Sequence, residues 1–183
     1  MTVGDLRAWI SADLRRHDLP SGVGGLVVLL SLPSARWQIR LRLTEYVVNQ
    51  GGLWRPAGVW ARWRLQARAI RLGYSIPVNV IGPGLKLPHW GTIVISGKAR
   101  IGRNATIHPG TCLGEHYGGA PAVGDDVYLG PGAKAYGPIT IGDGATLGAN
   151  CVVTSTVEAR QTMVGAPARP IGVRTRPVDR PAS

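Results

Sequence analysis

Residues 121–157, PAVGDDVYLGPGAKAYGPITIGDGATLGANCVVTSTV, return an aliphatic residue or alanine at every sixth position: Val123, Leu129, Ala135, Ile141, Leu147 and Val153. Upstream the same period runs in a second phase through Ile95, Ile101, Ile107 and Leu113, and in a third through Ile81 and Leu87. Glycine follows the aliphatic at 82, 102, 114, 124, 130, 142 and 148. Four positions after the aliphatic stands a small or branched residue, such as Ala105, Thr111, Ala133 or Cys151. A period of six fits neither an isolated helix nor a flat amphipathic strand. It is the signature of a hexapeptide β-helix, in which each short strand is one side of a triangular coil. Three hexapeptides make a coil, so each aliphatic stacks on its equivalent about 18 residues on, at the ~4.8 Å strand spacing. The glycines read as corners where the chain turns tightly. A narrow interior of this kind accounts for a 183-residue chain without a single Phe.

The breaks in phase are as informative as the period. From Leu87 to Ile95 the step is eight, so two extra residues bulge out within PHWGTIVI. From Leu113 to Val123 it is ten, so four extra residues are extruded within GEHYGGAPA. A regular solenoid gains nothing from insertions, and in repeat folds they map to loops on a working face. Each break contains a histidine. His89 sits at the first, free to leave the stacked wall, and an imidazole near neutrality suits taking a proton from an attacking hydroxyl or amine. A corner histidine bonded to a neighbouring carbonyl is the plainer alternative. His108 follows Ile107 in a slot otherwise held by glycine, one coil from Leu87–His89, where it assists His89, lines the pocket or is merely exposed. Glu115 and His116 lie on the extruded loop, within reach of a neighbouring subunit. His17 reads as solvated surface.

Zinc sites favour close histidine pairs, whereas His89, His108 and His116 are separated by 19 and 8 residues, so no metal is expected. Cys151 falls in an inward small-residue slot and Cys112 lacks a nearby partner, so both read as free thiols. No GxxxxGK[ST] loop is present. Lys and Arg number 21 against 10 acids, a net charge of +11. Such an excess can mean nucleic acid, but no recognisable module accompanies it and nucleic acid is not expected as a partner.

The charge is concentrated in residues 1–73, which hold eleven Arg, four acids and five of the six Trp. Leu6, Trp9, Ile10 and Leu14 share a helical face, as more loosely do Trp60, Trp63, Leu65, Ala67 and Ile70. Pro20, Pro33, Pro56 and Gly51-Gly52 divide the segment into three or four short helices. These helices cap the open end of the coil or dock on an anionic membrane. The longest apolar run, Gly22 to Leu32, is too short to span a bilayer, and the first ten residues lack a signal layout. The expected location is cytoplasmic, with peripheral contact at the inner face of the membrane as the variant. The expected division is a helical segment 1–73, a β-helix 74–172 and a flexible basic tail 173–183.

The stretches IGPGLKLPHWGTIVISGKARIGRNATIHPGTCLGE, GAPAVGDDVYLGPGAKAYGPITIGDGATLGANCVV and VGAPARPIG resemble hexapeptide-repeat acetyltransferases. Within these, the resemblance is to serine O-acetyltransferase-like enzymes and their exopolysaccharide relatives, over about residues 75–172. It implies a mainly β fold, a left-handed parallel β-helix, in a homotrimer with acetyl-CoA in the groove between subunits. His89 matches the family's catalytic base. Gly114, Ala133 and Ala149 match positions whose backbone lines the pantetheine arm, Lys134 belongs to that same motif, and Arg169 stands where a cation meets the CoA phosphates.

Three departures concern the acceptor. The aspartate that orients the family's histidine corresponds to a position near Tyr74. The aspartate just before that histidine is Pro88, and an Arg-His pair is replaced by Gly119-Ala120. An amino acid would lose its charge partners in such a pocket. The expected activity is therefore O-acetylation of a hydroxyl on a sugar or glycan precursor, with Pro88, Trp90, His116 and Tyr117 as the acceptor wall. Serine O-acetylation and a non-catalytic trimeric scaffold are the alternatives.

Overall fold

The computed structural model describes residues 2–17 and 31–173. Most of the apolar run Gly22–Leu32, Pro20 and the basic tail beyond 173 lie outside the described residues. Among the described residues three helices come first: α1 (Val3–Arg15), α2 (Pro33–Gln50) and α3 (Arg55–Leu72), with a 3₁₀ turn, Gly52–Trp54, between the last two. Thr2 and Asp5 form a reciprocal capping box at the start of α1. Pro33 and Pro56 occupy the first turns of α2 and α3, where a missing N–H costs nothing. Gly73, left-handed at φ 79°, ends α3.

Among the described residues thirteen short strands follow and stack into a β-solenoid of three faces. The first face joins β1 (Tyr74–Ser75), β2 (Ile93–Ile95), β5 (Cys112–Gly114), β8 (Lys134–Tyr136) and β11 (Val152–Val153). The second joins β3 (Arg100–Ile101), β6 (Ala122–Val123) and β9 (Thr140–Ile141). The third joins β4 (Thr106–Ile107), β7 (Tyr128–Leu129), β10 (Thr146–Leu147), β12 (Gln161–Val164) and β13 (Arg169–Val173). All pairings are parallel except β12 with β13, which runs back antiparallel at the C-terminal end. Ile95 pairs with Leu113, 18 residues on, as a plain coil requires. Ile101 pairs with Val123, 22 residues on, and Ile81 with Ile101, 20 on, so the extruded residues leave the stack in register. Ile95, Ile101, Ile107, Leu113, Val123, Leu129, Ile141, Leu147 and Val153 are all buried in one continuous core.

The glycines after the aliphatics have a different reason from the one their position suggests. None of these seven has a positive φ. A Cβ on Gly102 would stand 2.7 Å from the carbonyl of Gly124 on the next coil, and one on Gly130 2.8 Å from that of Leu147. Six of the seven permit close approach between coils; Gly114, where a Cβ would stand 3.5 Å from that of Tyr136, is the exception. The left-handed corners fall elsewhere, at Gly84, Gly110, Gly132 and Gly144 and at Asn104, Asp126 and Asn150.

The helices seal the first coil through a buried polar network. Asp13 of α1 accepts from the N–H groups of Gly84 (2.7 Å) and Leu85 (2.9 Å), and from the Arg42 guanidinium at 2.8 Å. Arg42 of α2 also donates to Glu45 (2.9 Å) and to the carbonyls of Ile81 (2.8 Å) and Gly82 (2.6 Å). Glu45 accepts from the N–H of Asn79 at 2.8 Å, and Gln38 donates to the carbonyl of Leu85. Burial works against the Arg42 charge, yet Asp13 and Glu45 hold it firmly protonated. His17 is half-buried and shares a 2.7 Å hydrogen bond with Gln38, so it belongs to this seam and not to the solvated surface expected of it. Leu65 departs too: it is buried against the core with Ala69, on the face of α3 opposite Trp60, Trp63 and Ile70.

Candidate active site

Where the third face turns into the first, successive coils place Pro88–His89, His108–Pro109, Pro131–Ala133 and Ala149–Asn150 on one edge of the prism. Backbone bonds tie the rungs together: Gly110 N–H to Thr92 O at 2.6 Å, Gly132 N–H to Pro109 O at 2.9 Å, Asn150 N–H to Pro131 O at 2.8 Å. Arg169 follows the last turn of the same edge, its guanidinium exposed and bonded to the carbonyl of Ala168 at 3.0 Å. From His89 to that turn the edge climbs four coils, about 19 Å at the strand spacing of a sheet. The candidates that came from separate repeats thus form one line, with the histidines at one end and the cation at the other.

His89 is exposed, and its ring centroid lies 6.4 Å from that of His108. His108 is half-buried and packs on Tyr128 with centroids 5.0 Å apart. Burial, with smaller contributions from His89 and Lys86, lowers the His108 pKa below the usual histidine range. At neutral pH His108 is therefore an uncharged neighbour that does not repel a proton arriving on His89.

The loop that carries His89 is braced from behind. The Tyr74 hydroxyl donates to the His89 backbone carbonyl at 3.1 Å, and the Tyr74 ring is buried edge-on against Trp37 with centroids 4.9 Å apart. Burial raises the pKa of that hydroxyl, so it remains a donor across the working pH range. The sequence shows an orienting aspartate missing near Tyr74 and carries no sign of this brace. Tyr128 was missed as well. The pairing of Ile107 with Leu129 sets it diagonally beside His108, and the 22-residue register was the signal that could have found it.

Lys134 lies on the first face, its ammonium on the carbonyl of Gly132 at 3.0 Å. Gly114 sits across the same face, paired with Tyr136. The extruded loop closes as a two-residue hairpin, His116 and Gly119 exchanging backbone bonds of 2.9 and 3.1 Å around Tyr117 (φ 48°) and Gly118 (φ 76°). His116 packs tilted against Tyr117 and edge-on against Tyr136 there. This hairpin leaves the first face at its opposite edge. Within one chain, then, His116 and Tyr117 do not join Pro88, Trp90 and His89. Among the described residues no group of three or more His, Cys, Asp or Glu gathers into a metal-ligating cluster, and Cys112 and Cys151 are free thiols.

Comparison with known proteins agrees with the fold. The family described as bacterial transferase hexapeptide (six repeats) matches residues 121–155. Serine acetyltransferase of Mycobacterium tuberculosis is 34% identical over 174 residues, covering 92% of this chain and 71% of that protein. Serine acetyltransferase of Staphylococcus xylosus is 41% identical over 114 residues, 60% of this chain and 53% of that protein, so the chain spans only about half of this relative's length. The crystal structure of Neisseria gonorrhoeae serine acetyltransferase in complex with serine superposes with a TM-score of 0.74 at 27% identity, over 93% of this chain and 70% of that one.

Proposed function

Because the chain belongs to the serine acetyltransferase family, we propose that it moves the acetyl group of acetyl-CoA onto the side-chain hydroxyl of L-serine, with His89 as general base. The fold is the left-handed parallel β-helix of that family, and the coarse chemistry is acyl transfer from acetyl-CoA. The observation that carries the residue assignment is the exposed His89 backed at 6.4 Å by His108, at the end of an edge that finishes beside Arg169. His89 takes the hydroxyl proton as the oxygen attacks the thioester carbonyl. Backbone N–H groups of the edge stabilise the oxyanion, which collapses and expels CoA thiolate. The thiolate takes the proton from the imidazolium, giving CoA thiol and the O-acetyl ester. Gly114, Ala133, Lys134 and Ala149 line the pantetheine arm, and Arg169 meets the CoA phosphates.

The chain acts as a homotrimer in this proposal, which brings the His116–Tyr117 hairpin of one copy to the His89 edge of the next. That supports a shared site, because a single chain holds the two parts of the acceptor wall at opposite edges of one face.

One observation favours a second acceptor, the hydroxyl of a sugar or glycan precursor. Pro88, Gly119 and Ala120 carry no charge, and Trp90 and Tyr117 are 59% and 88% exposed, rings that suit a sugar face better than an ammonium and a carboxylate. Thiol release from acetyl-CoA, measured with L-serine and with a panel of hexoses and glycan fragments, decides between them. A kcat/KM for L-serine well above every sugar supports the first reading. The reverse order establishes the second, and acetyl-CoA that fails to bind in calorimetry leaves only a scaffold.

A further inference from the structure

On α3, Val59, Trp63, Ala67 and Ile70 recur at spacings of four, four and three, which sets them in one stripe with Trp60 alongside. The stripe faces outward: Val59, Trp60, Trp63 and Ile70 are 69%, 59%, 68% and 69% exposed. Gly58, Leu65 and Ala69 turn the other way, into the core. Arg55 and Arg62 border the stripe on one side, and Arg64, Arg68 and Arg71 on the other, with Arg64 over the Trp60 ring at 4.8 Å. Residues 31–73 hold eight Arg and one acid, Glu45, and that acid is buried against Arg42. The surface of α2 and α3 therefore exposes no carboxylate. Its guanidinium groups crowd one another instead: Arg36, Arg64 and Arg68 add their repulsion to the partial burial that lowers the Arg40 pKa.

We propose that this face of α3 docks the protein on an anionic lipid bilayer, lying in the interface with Trp60, Trp63 and Ile70 in the acyl boundary and the flanking arginines on the headgroups. The charge pattern selects this occupant. A second copy packed on the same stripe would bring five arginines against five with no acid between them. A nucleic acid would satisfy the arginines and leave Val59 and Ile70 in water. An anionic bilayer satisfies both rows at once, since tryptophan favours the interface and arginine the negative surface. Among the described residues no helix is long and apolar enough to cross a membrane, so the contact is peripheral. The proposal stands whichever hydroxyl is acetylated.

The test is flotation of the full chain with vesicles of phosphatidylglycerol or of phosphatidylcholine, at low and at physiological salt, alongside light scattering. The wild type should float with phosphatidylglycerol, with a blue shift in tryptophan emission, and stay behind with phosphatidylcholine. R62E/R64E should lower the partition at least about 25-fold, at about fivefold per basic residue removed. W63S/I70S, both positions exposed, should abolish the blue shift while circular dichroism, molar mass and acetyl transfer in free solution stay unchanged. Failure to float with phosphatidylglycerol at low salt overturns the proposal. A drop in molar mass in W63S/I70S would instead assign the face to contact between copies, and retention on duplex DNA without vesicle binding would assign it to nucleic acid.

Discussion

The Tyr74 hydroxyl holds the backbone carbonyl of His89 at 3.1 Å, from beside the position where the serine acetyltransferase resemblance calls for an aspartate. An aspartate there would act on the imidazole itself. Tyr74 acts on the main chain, so it fixes where the loop stands and leaves the ring to its other neighbours. Tyr74→Phe keeps the buried ring and removes one hydrogen bond worth about 0.5–1.5 kcal/mol. It should lower kcat roughly three- to tenfold with an unchanged KM for acetyl-CoA. A fall in thermal stability with no change in kcat would show that the brace serves only the fold.

His89→Ala should lower kcat by roughly 10²–10⁴-fold without loss of structure, because the side chain is exposed at a bulge and not in the stack. His108→Ala should cost less. Steady-state kinetics with circular dichroism as the control check both, and an unaltered His89→Ala rate would transfer the role of base to His108 or His116.

His108 also leaves a signature in stability. Its folded pKa lies below that of the unfolded chain, so between the two values the unfolded chain binds more protons. Stability therefore rises with pH through that window and declines as pH falls below the ordinary histidine value of about 6.5. His108→Gln should flatten this part of the melting-temperature profile. A profile that matches the wild type between pH 5 and pH 7 would mean that another group titrates there.

Arg169→Glu should weaken acetyl-CoA binding by about 1.5–3 kcal/mol, through loss of a charge-assisted bond and the repulsion that replaces it. Calorimetry at low salt measures this directly. Unchanged affinity would place the CoA phosphates against other cations.

Asp13→Ala removes one of the two carboxylate partners of a fully buried guanidinium and the acceptor of two backbone N–H groups. Breaking a buried pair of this kind costs about 3–5 kcal/mol. Denaturant unfolding should show that loss, and a cost below 1 kcal/mol would mean that the helices do not hold the first coil.

The period of six was sufficient for the solenoid because it reports a repeated local demand, one buried aliphatic per side of the coil, and every such residue is buried where the phase put it. The histidines were legible for the related reason that they interrupt that period. The polar seam was not. Asp13, Gln38, Arg42 and Glu45 look like the surface charges and amides of amphipathic helices, and their burial depends on which backbone groups the first coil leaves open. Periodicity in the helices was misleading at Leu65, since a loose apolar face contains two stripes and only packing reveals which is inward. The glycine pattern was seen and its cause misassigned, because a sequence shows where a side chain is absent and not whether φ or a neighbouring coil forbids it.

The reversed direction of β13 bears on what the protein cannot become. A parallel solenoid with open ends is a template for its own extension, each terminal coil offering a full set of backbone donors and acceptors to the next molecule. Here Asp13, Arg42, Glu45 and Gln38 occupy those groups at the first coil. At the other end an antiparallel strand presents the wrong polarity for a new coil to continue. Growth along the axis therefore meets side chains already seated on backbone groups of the first coil and a reversed strand on the third face of the last, two obstacles to the head-to-tail stacking that the bare repeat would favour.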